Sequence, residues 1–420
     1  MLEQIEGSQA VARAVALCRP EVIAAYPISP QTHIVEGLSD LVRTGDLSPC
    51  EYMMVESEFG ALSACIGASA AGARTYTATS SQGLLFMAEA LFNASGLGLP
   101  IVMTVANRAI GSPINIWNDH SDAMSMRDSG WLQLYAESNQ EAADLHMQAY
   151  RLAERLSLPV MVCMDGFVLT HAFEQVDLPT QEQVDAFLPT FEAQQMLDPS
   201  DPVTIGAMVG PEAFAEVKYL MHAKQMEALD EIPVIAADFR AAFGRDSGGL
   251  LKPYRLEGAK TVVVALGSLL GTIEEVVDSL RDEGVPVGVL GVRCFRPWPL
   301  GEIREALSGA ERVVVVEKAF AVGAGGIVGQ NTRDATRDLP VEVYDVVAGL
   351  GGRPITRASL RQLLDDVLGG SLDSRKLHFL DLDNGLVQRE LARSRRGVRP
   401  GPHAEHMLLD IGTVASGAYE

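Results

Sequence analysis

Cysteine is scarce: Cys18, Cys50, Cys65, Cys163 and Cys294 are scattered over 420 residues. No two stand at CxxC spacing, which argues against a disulfide framework, a zinc site or an iron–sulfur cluster held by this chain alone. There is no apolar run of about 18 residues to cross a bilayer. The opening MLEQIEG is acidic where a signal peptide is basic, so a cytoplasmic protein without membrane attachment is expected. Basic charge is also short, with 33 Lys and Arg against 55 Asp and Glu and a net charge of −22. Such a chain repels phosphate backbones, and nucleic acid is not an expected partner. The segment with Arg393, Arg395, Arg396 and Arg399 is a local exception, read as a solvated tail or a subunit contact because four arginines define no groove. Short-period repeats, P-loops, nucleophile elbows and HExxH motifs are missing, and no metal ligands are assigned.

What the chain does contain is alternation. EVIAAYP (21–27), TYTATS (75–80), LPIVMTVA (99–106) and LPVMVCMD (158–165) read as buried strands. Between them QAVARAVALC, FGALSACIGASAAGA, LLFMAEALFNA and AADLHMQAYRLAERL carry apolar residues at three- and four-residue spacing. Strand–helix alternation predicts a doubly wound parallel sheet covered on both faces, with functional groups at the carboxyl ends of its strands. From 176 to 255 the pattern loosens into an extended connector, with a helix-like return over 211–230. A second α/β unit follows, with strands at 261–268, 285–295, 311–318 and 340–347 and a last clear helix in SLRQLLDDVL. The expected division is 1–190, connector 191–255, second domain 256–370 and C-terminal extension 371–420.

Several residues could carry chemistry. Ser29, between Pro27 and Pro30 past the first strand, could fix a hydroxyl at the sheet edge, or be a turn residue or a cap for a helix over 31–42. Glu58 heads a helix of small residues, while Glu56 on the same turn is free to face water. A carboxyl that keeps its proton in apolar surroundings can donate a hydrogen bond to a ring nitrogen. The alternative is a charge complementing the helix N-terminus. Arg108 follows a strand and has the planar fork that suits a small carboxylate, with a structural salt bridge as the competing role. The loop after it holds Asn115, Trp117, Asn118, Asp119, His120 and Asp122, a polar and aromatic set of the kind found in substrate lids. His120 alone reads as a satisfied surface histidine. AVGAGGIVGQ (321–330), GLGGRPIT (349–356) and GSLLGT (267–272) lack the spacing of a dinucleotide fingerprint and read as strand–helix turns.

In order and spacing, YPISP, VESEFGALSACIGASAAGARTYTATSSQGLLFM, ANRAIGSPINIWNDHSD and DGFVLTH resemble the alpha-type subunit of pyruvate:ferredoxin (2-oxoacid:acceptor) oxidoreductases. GSLLGT, RCFRPWP, VVEKAFAVGAGG and GLGGRPIT extend the resemblance to about residues 5–365. It implies a pyrimidine-type thiamine-diphosphate-binding domain over 1–190 and a transketolase-C-terminal-like α/β domain over 256–370. By resemblance, Glu58 faces the aminopyrimidine, Ser29 (where the family has Thr) and Arg108 hold the substrate carboxylate, and Gln82 joins Glu58 and Ser29 in binding the cofactor. Asn115, Asn118, Asp119 and His120 would form the substrate loop. The cofactor would be shared with a beta-type subunit, which carries the GDG…N motif that is missing here. Mg²⁺ and 4Fe–4S clusters would lie on beta-, gamma- and delta-type partners in a duplicated hetero-oligomer, with CoA as co-substrate and ferredoxin or an NAD-linked carrier as acceptor.

The implied reaction is CoA-acylating oxidative decarboxylation of a 2-oxoacid, with pyruvate as first choice. Phenylglyoxylate, a branched-chain oxoacid or 2-oxoglutarate would keep the same carboxylate clamp. A non-redox thiamine half-site and a non-catalytic scaffold subunit are the rival readings.

Overall fold

The computed structural model describes residues 2–202 and 204–395. The side chains of Arg393 and Arg395, and all of Arg396 and Arg399, lie outside what is described. Of the described residues, those up to His378 form one compact unit and those from Phe379 to Arg395 belong to another, which contains the helix Asn384–Arg395.

Strands are numbered in chain order. The first portion supplies β1 (Leu2–Glu6), β2 (Val22–Ala25), β3 (Glu51–Met54), β4 (Thr75–Thr79), β5 (Val102–Asn107), β6 (Leu132–Tyr135), β7 (Val160–Asp165) and β8 (Phe173–Asp177). The rest are β9 (Leu251–Tyr254), β10 (Thr261–Ala265), β11 (Val287–Val292), β12 (Cys294–Arg296), β13 (Arg312–Glu317), β14 (Glu342–Val347) and β15 (Leu377–Phe379). One sheet runs β12-β6-β7-β5-β4-β2-β3 and a second β15-β14-β13-β10-β11-β9, while β1 and β8 pair by themselves. From β3 to β6 the first sheet is parallel. Every residue of β4, β5 and β7 is buried, which explains their near-continuous apolar and threonine runs: helices cover both faces. Tyr76 on β4 reaches Thr104 on β5 at 2.6 Å, and Thr104 meets His146 of the helix Asn139–Leu156 at 2.5 Å. Burial lowers the His146 pKa to about 4, so the ring in this core is neutral near neutral pH.

β2 and β4 are neighbours, yet β2 leads on to β3 at one edge and β4 to β5 on the other side. In open α/β sheets such a reversal marks the carboxyl ends of the two strands as the place where ligands bind. Ser29, Glu58 and Gln82 all follow strands that end there.

The reading of 285–295 as one strand is corrected. β11 lies in the second sheet, antiparallel to β9, whereas β12 crosses over and pairs antiparallel with β6 of the first. The apolar run is continuous because both sheets bury their share of it, and periodicity carries no mark of the crossover. The connector is also more ordered than its sequence suggested. It holds β8, a helix Gln181–Phe187 with a Thr180/Gln183 capping box, and a 30-residue helix Phe214–Phe243. Only Ala228, Ile232, Ile235 and Phe239 of that long helix are buried, a four–three–four spacing that gives one packed stripe.

Arg293 sits at the crossover. Its Nη1 donates to Gly248 O at 2.7 Å, and its Nε lies 2.6 Å from Glu141 Oε1 in a nearly buried ion pair. Burial raises the Glu141 pKa against the pull of Arg293. Replacing Arg293 by Met would leave that carboxylate buried without its counter-ion. Urea unfolding of the full chain should show a loss of about 3–5 kcal/mol. A change within about 0.5 kcal/mol would mean that the crossover does not rely on the pair.

Candidate active site

Ser29 stands exposed in the turn after β2. It caps no helix, because Thr32–Thr44 begins at Gln31 without a side-chain cap bond. Gln31 is buried and braces the turn: its Nε2 donates to Ala78 O on β4 at 2.6 Å and its Oε1 accepts from Ile28 N at 3.2 Å. Arg108, 6% exposed, donates from Nη1 to Ser29 O at 2.9 Å and from Nε to Asn115 O at 3.0 Å. The structure thus brings Ser29 and Arg108 together. Two of the three guanidinium nitrogens hold backbone carbonyls, and among the described residues no acceptor meets Nη2. The forked grip expected from the sequence is narrowed accordingly. Desolvation lowers the Arg108 pKa and the charge of Asp122 opposes it.

Asp122 organises this edge. Its Oδ2 accepts from Ser81 N and Arg108 N, each at 2.9 Å, and its Oδ1 from Asn107 Nδ2 at 2.9 Å and Ala123 N at 2.8 Å. One carboxylate therefore joins the carboxyl ends of β4 and β5. Burial raises its pKa to about 6 although all four donors pull the other way.

Glu58 is the first residue of the helix Glu58–Ala70 and is 8% exposed, while Glu56 faces solvent. The helix is capped by Ser57 Oγ, which accepts from Gly60 N at 3.1 Å. Glu58 therefore stands at the positive end of the helix without serving as its cap. No hydrogen bond to its carboxyl occurs among the described residues. A Cβ on Gly83 would come within 2.8 Å of Glu58 Cγ and Oε1, so the first turn of the helix Ser81–Phe86, which follows β4, closes directly over this side chain. Gln82 lies in the same turn. Its Oε1 accepts from Ser81 Oγ at 2.5 Å, and its Nε2 lies 2.5 Å from the position a Cβ on Gly111 would take.

The loop after Arg108 is not arranged as its composition suggested. His120 is corrected from a surface to a buried histidine, 1% exposed. Its Nε2 lies 2.6 Å from Asp165 Oδ1, and its backbone N donates to Lys318 O at 2.9 Å. Asp165 Oδ2 accepts from Ser268 N at 3.0 Å, from Ser268 Oγ and from Lys318 Nζ at 3.2 Å. Burial alone would raise the Asp165 pKa, yet Lys318, His120 and Ser268 together hold it far below the usual carboxylate range. Asn115 Nδ2 donates to Gly351 O at 3.1 Å, and Asp119 Oδ2 accepts from Gly351 N at 3.0 Å. Gly352, at φ +81, meets Trp117 so closely that a Cβ would strike it. Asn118 is buried, and its Nδ2 has no partner among the described residues. Asn115, Asp119 and His120 thus dock the loop on the second α/β portion, while Ile114, Ile116 and Trp117 are exposed. Asp165 and Lys318 were not singled out in the sequence. The signal was there: each stands at or just past the carboxyl end of a strand, where such groups gather.

The glycine-rich stretch 321–330 holds no phosphate cradle. Glu317, at the end of β13, fills the N-terminus of the helix Ile327–Ala335, its Oε2 accepting from Ile327 N and Val328 N at 2.8 and 2.9 Å and its Oε1 from Gly329 N at 3.0 Å. The chain's own carboxyl occupies the place a ligand anion would take. Burial raises its pKa to about 7.

Because the folded-state pKa of Asp122 is raised, its contribution to stability is fully present below its ordinary value of 3.8 and lost as pH rises through about 6. The shift corresponds to about 3 kcal/mol. Asp122→Asn should abolish that part of the stability–pH profile. It should also leave buried N–H groups unpaired at a cost of about 1–3 kcal/mol each. Thermal unfolding between pH 4 and 7 checks both, and a variant with the wild-type profile would contradict the assignment.

Residues 13–237 match the family model for pyruvate flavodoxin/ferredoxin oxidoreductase, thiamine-diphosphate-binding, and residues 259–360 that for pyruvate:ferredoxin oxidoreductase core domain II. The pyruvate synthase subunit PorA of Methanosarcina barkeri is 49% identical over 393 residues, covering 91% of this chain and 97% of its own. The ketoisovalerate oxidoreductase subunit VorA of Pyrococcus horikoshii is 39% identical over 376 residues, covering 88% and 95%. A solved 2-oxoglutarate:ferredoxin oxidoreductase from Magnetococcus marinus, with 2-oxoglutarate, coenzyme A and succinyl-CoA bound, has the same fold, with a TM-score of 0.65 at 20% identity over 87% of this chain. The present chain spans 65% of that one. On these matches the chain belongs to the pyruvate:ferredoxin (2-oxoacid:acceptor) oxidoreductase family, as an alpha-type subunit.

Proposed function

We propose that this chain supplies the aminopyrimidine side of a shared thiamine-diphosphate site in a CoA-acylating 2-oxoacid oxidoreductase, with pyruvate as substrate. The observation that carries the reading is Glu58: a buried carboxyl without a protein partner among the described residues, closed over by the Gln82–Gly83 turn at the carboxyl ends of β2 and β4. Such a carboxyl fits a cofactor ring nitrogen, and Gln82 lies beside it as a second polar contact. When bound, thiamine diphosphate supplies the electron sink for loss of CO₂ from the 2-oxoacid. Glu58 would face the aminopyrimidine from a buried position, with no protein group competing for its carboxyl among the described residues. Arg108 Nη2 and the Ser29 hydroxyl receive the substrate carboxylate, with Asp122 and Gln31 fixing the two turns that carry them.

The relatives named above support pyruvate over a branched-chain oxoacid, with 49% against 39% identity. Neither is named for an aromatic acid, and phenylglyoxylate is not carried forward. Met54, Phe59 and Phe86 are exposed on the segments flanking Glu58 and Gln82, an apolar face suited to a beta-type subunit bearing the diphosphate and Mg²⁺ site. Gamma- and delta-type partners would hold the 4Fe–4S clusters, in a duplicated hetero-oligomer that passes electrons to ferredoxin or an NAD-linked carrier. Among the described residues no helix is long and apolar enough to cross a membrane, and we place the enzyme in the cytoplasm. In this reading residues 1–190 are the pyrimidine domain, 191–255 the connector, 256–370 the transketolase-C-terminal-like domain and 371–420 an extension.

In the assembled complex, Glu58→Gln should lower kcat by about 100-fold or more with little change in KM. Arg108→Lys should mainly raise KM for pyruvate, because a point charge does not reproduce the planar donor set. Steady-state assays with CoA against pyruvate, 2-oxoisovalerate and 2-oxoglutarate should give pyruvate the highest kcat/KM. Unchanged turnover in Glu58→Gln would favour the scaffold reading instead.

A further inference from the structure

Three segments distant in sequence converge on Glu6, His33 and His171, whose ligand atoms all lie within 4.8 Å of one another. Glu6 ends β1 and stands at the N-cap of the helix Gly7–Leu17 without capping it. Its Oε1 lies instead 2.7 Å from Nδ1 of His33, in the first turn of the helix Thr32–Thr44. His171 follows β7, and its ring centroid is 4.7 Å from that of His33. The backbone sets this arrangement. Gly7 N donates to Ala172 O at 3.0 Å, and Ser8 N and Oγ donate to Thr170 O at 2.9 and 2.8 Å, clamping the Glu6 segment against the His171 segment.

We infer that Glu6, His33 and His171 bind one divalent transition-metal ion at the carboxyl edge of the first sheet. The donor set is two imidazoles and one carboxylate, which suits Zn²⁺, Co²⁺, Ni²⁺ or Fe²⁺ and not the all-oxygen preference of Mg²⁺ or Ca²⁺. Thr170 Oγ1 lies 2.8 Å from His171 Nδ1 and accepts from Phe167 N at 2.8 Å. In the tautomer in which Nδ1 donates to Thr170, Nε2 of His171 offers its lone pair, the outer-shell arrangement typical of metal-ligating histidines. Ligands about 2.0 Å from a tetrahedral ion stand about 3.3 Å apart, so the farthest pair needs to draw in by about 1.5 Å at most and the Glu6–His33 pair, now 2.7 Å apart, to part by about 0.6 Å. The His33 side chain is 44% exposed, which leaves an entry path and room for water at a remaining position.

The site lies near the proposed active edge without being part of its chemistry. Gly166 packs against Pro30 beside Ser29, and Phe167 bridges the rings of His171 and Trp117, at 4.7 and 4.9 Å. The inference is therefore tested by metal content, separately from turnover. The assembled complex, dialysed against buffered Zn²⁺ with excess Mg²⁺, should hold about one more zinc per copy of this chain than complexes carrying His33→Asn or His171→Gln, measured by elemental mass spectrometry. Equal zinc in wild type and variants overturns the inference. If a variant fails to assemble, zinc-edge X-ray absorption on the wild type decides. A nitrogen and oxygen shell at about 2.0 Å with scattering from two imidazoles supports the site. A sulfur-dominated shell, from the free cysteines, or a shell without imidazole overturns it.

Discussion

Asp122 is the interaction on which the rest of the edge depends. A fully buried carboxylate is unfavourable unless its oxygens are filled by donors, and here four N–H groups from the ends of two strands and one short helix converge on it. The bonds to Ser81 and Arg108 set the directions in which the chain leaves β4 and β5. They thereby place the Gln82–Gly83 turn over Glu58 and the Arg108 guanidinium against the Ser29 turn. Loss of any one donor would leave the carboxylate underfilled, so the two turns hold each other in place. Glu58 is left free for a ligand because Ser57 caps its helix.

A second cluster fastens the two α/β portions of the first unit. Asp165 at the end of β7 gathers His120 from the loop, and Lys318 and Ser268 from the second sheet's edge, in a buried group whose charges largely neutralise one another. The glycines at 351 and 352 accept Asn115, Asp119 and Trp117 at van der Waals distance, which side chains at those positions would prevent. Together with the crossover of β12 into the first sheet, these contacts explain why residues 2–378 form one compact body. The acidic residue Glu317, which closes a helix N-terminus, does locally what an anion does in nucleotide-binding relatives of the α/β class.

Much of this architecture was legible in the chain. The strands that became β2, β4, β5 and β7 are buried on both faces and read as unbroken apolar runs; the rule that function gathers at their carboxyl ends led to Ser29 and Arg108, while Glu58 stood out as a carboxylate heading a helix of small residues. Short or half-exposed strands such as β3 and β6 left little pattern over four residues each. The split between β11 and β12 was invisible because a run buried in two different sheets looks the same as one buried in a single sheet. His120 misled for a related reason: a lone histidine in a polar loop carries no sign of the partner, Asp165, that lies 45 residues further along the chain. Asp122 was noticed only as part of a polar loop, since three of its four donors are backbone N–H groups, which have no signature in sequence.

The central claim is that the Glu58 carboxyl meets the thiamine ring while a neighbouring chain holds its phosphates. A density map of the assembled enzyme with thiamine diphosphate bound measures this directly. The expected result is a Glu58 carboxyl oxygen about 2.5–3.0 Å from a nitrogen of the aminopyrimidine, with the diphosphate on the other subunit. A ring bound elsewhere, or a Glu58 surrounded by ordered water in the complex, would contradict it.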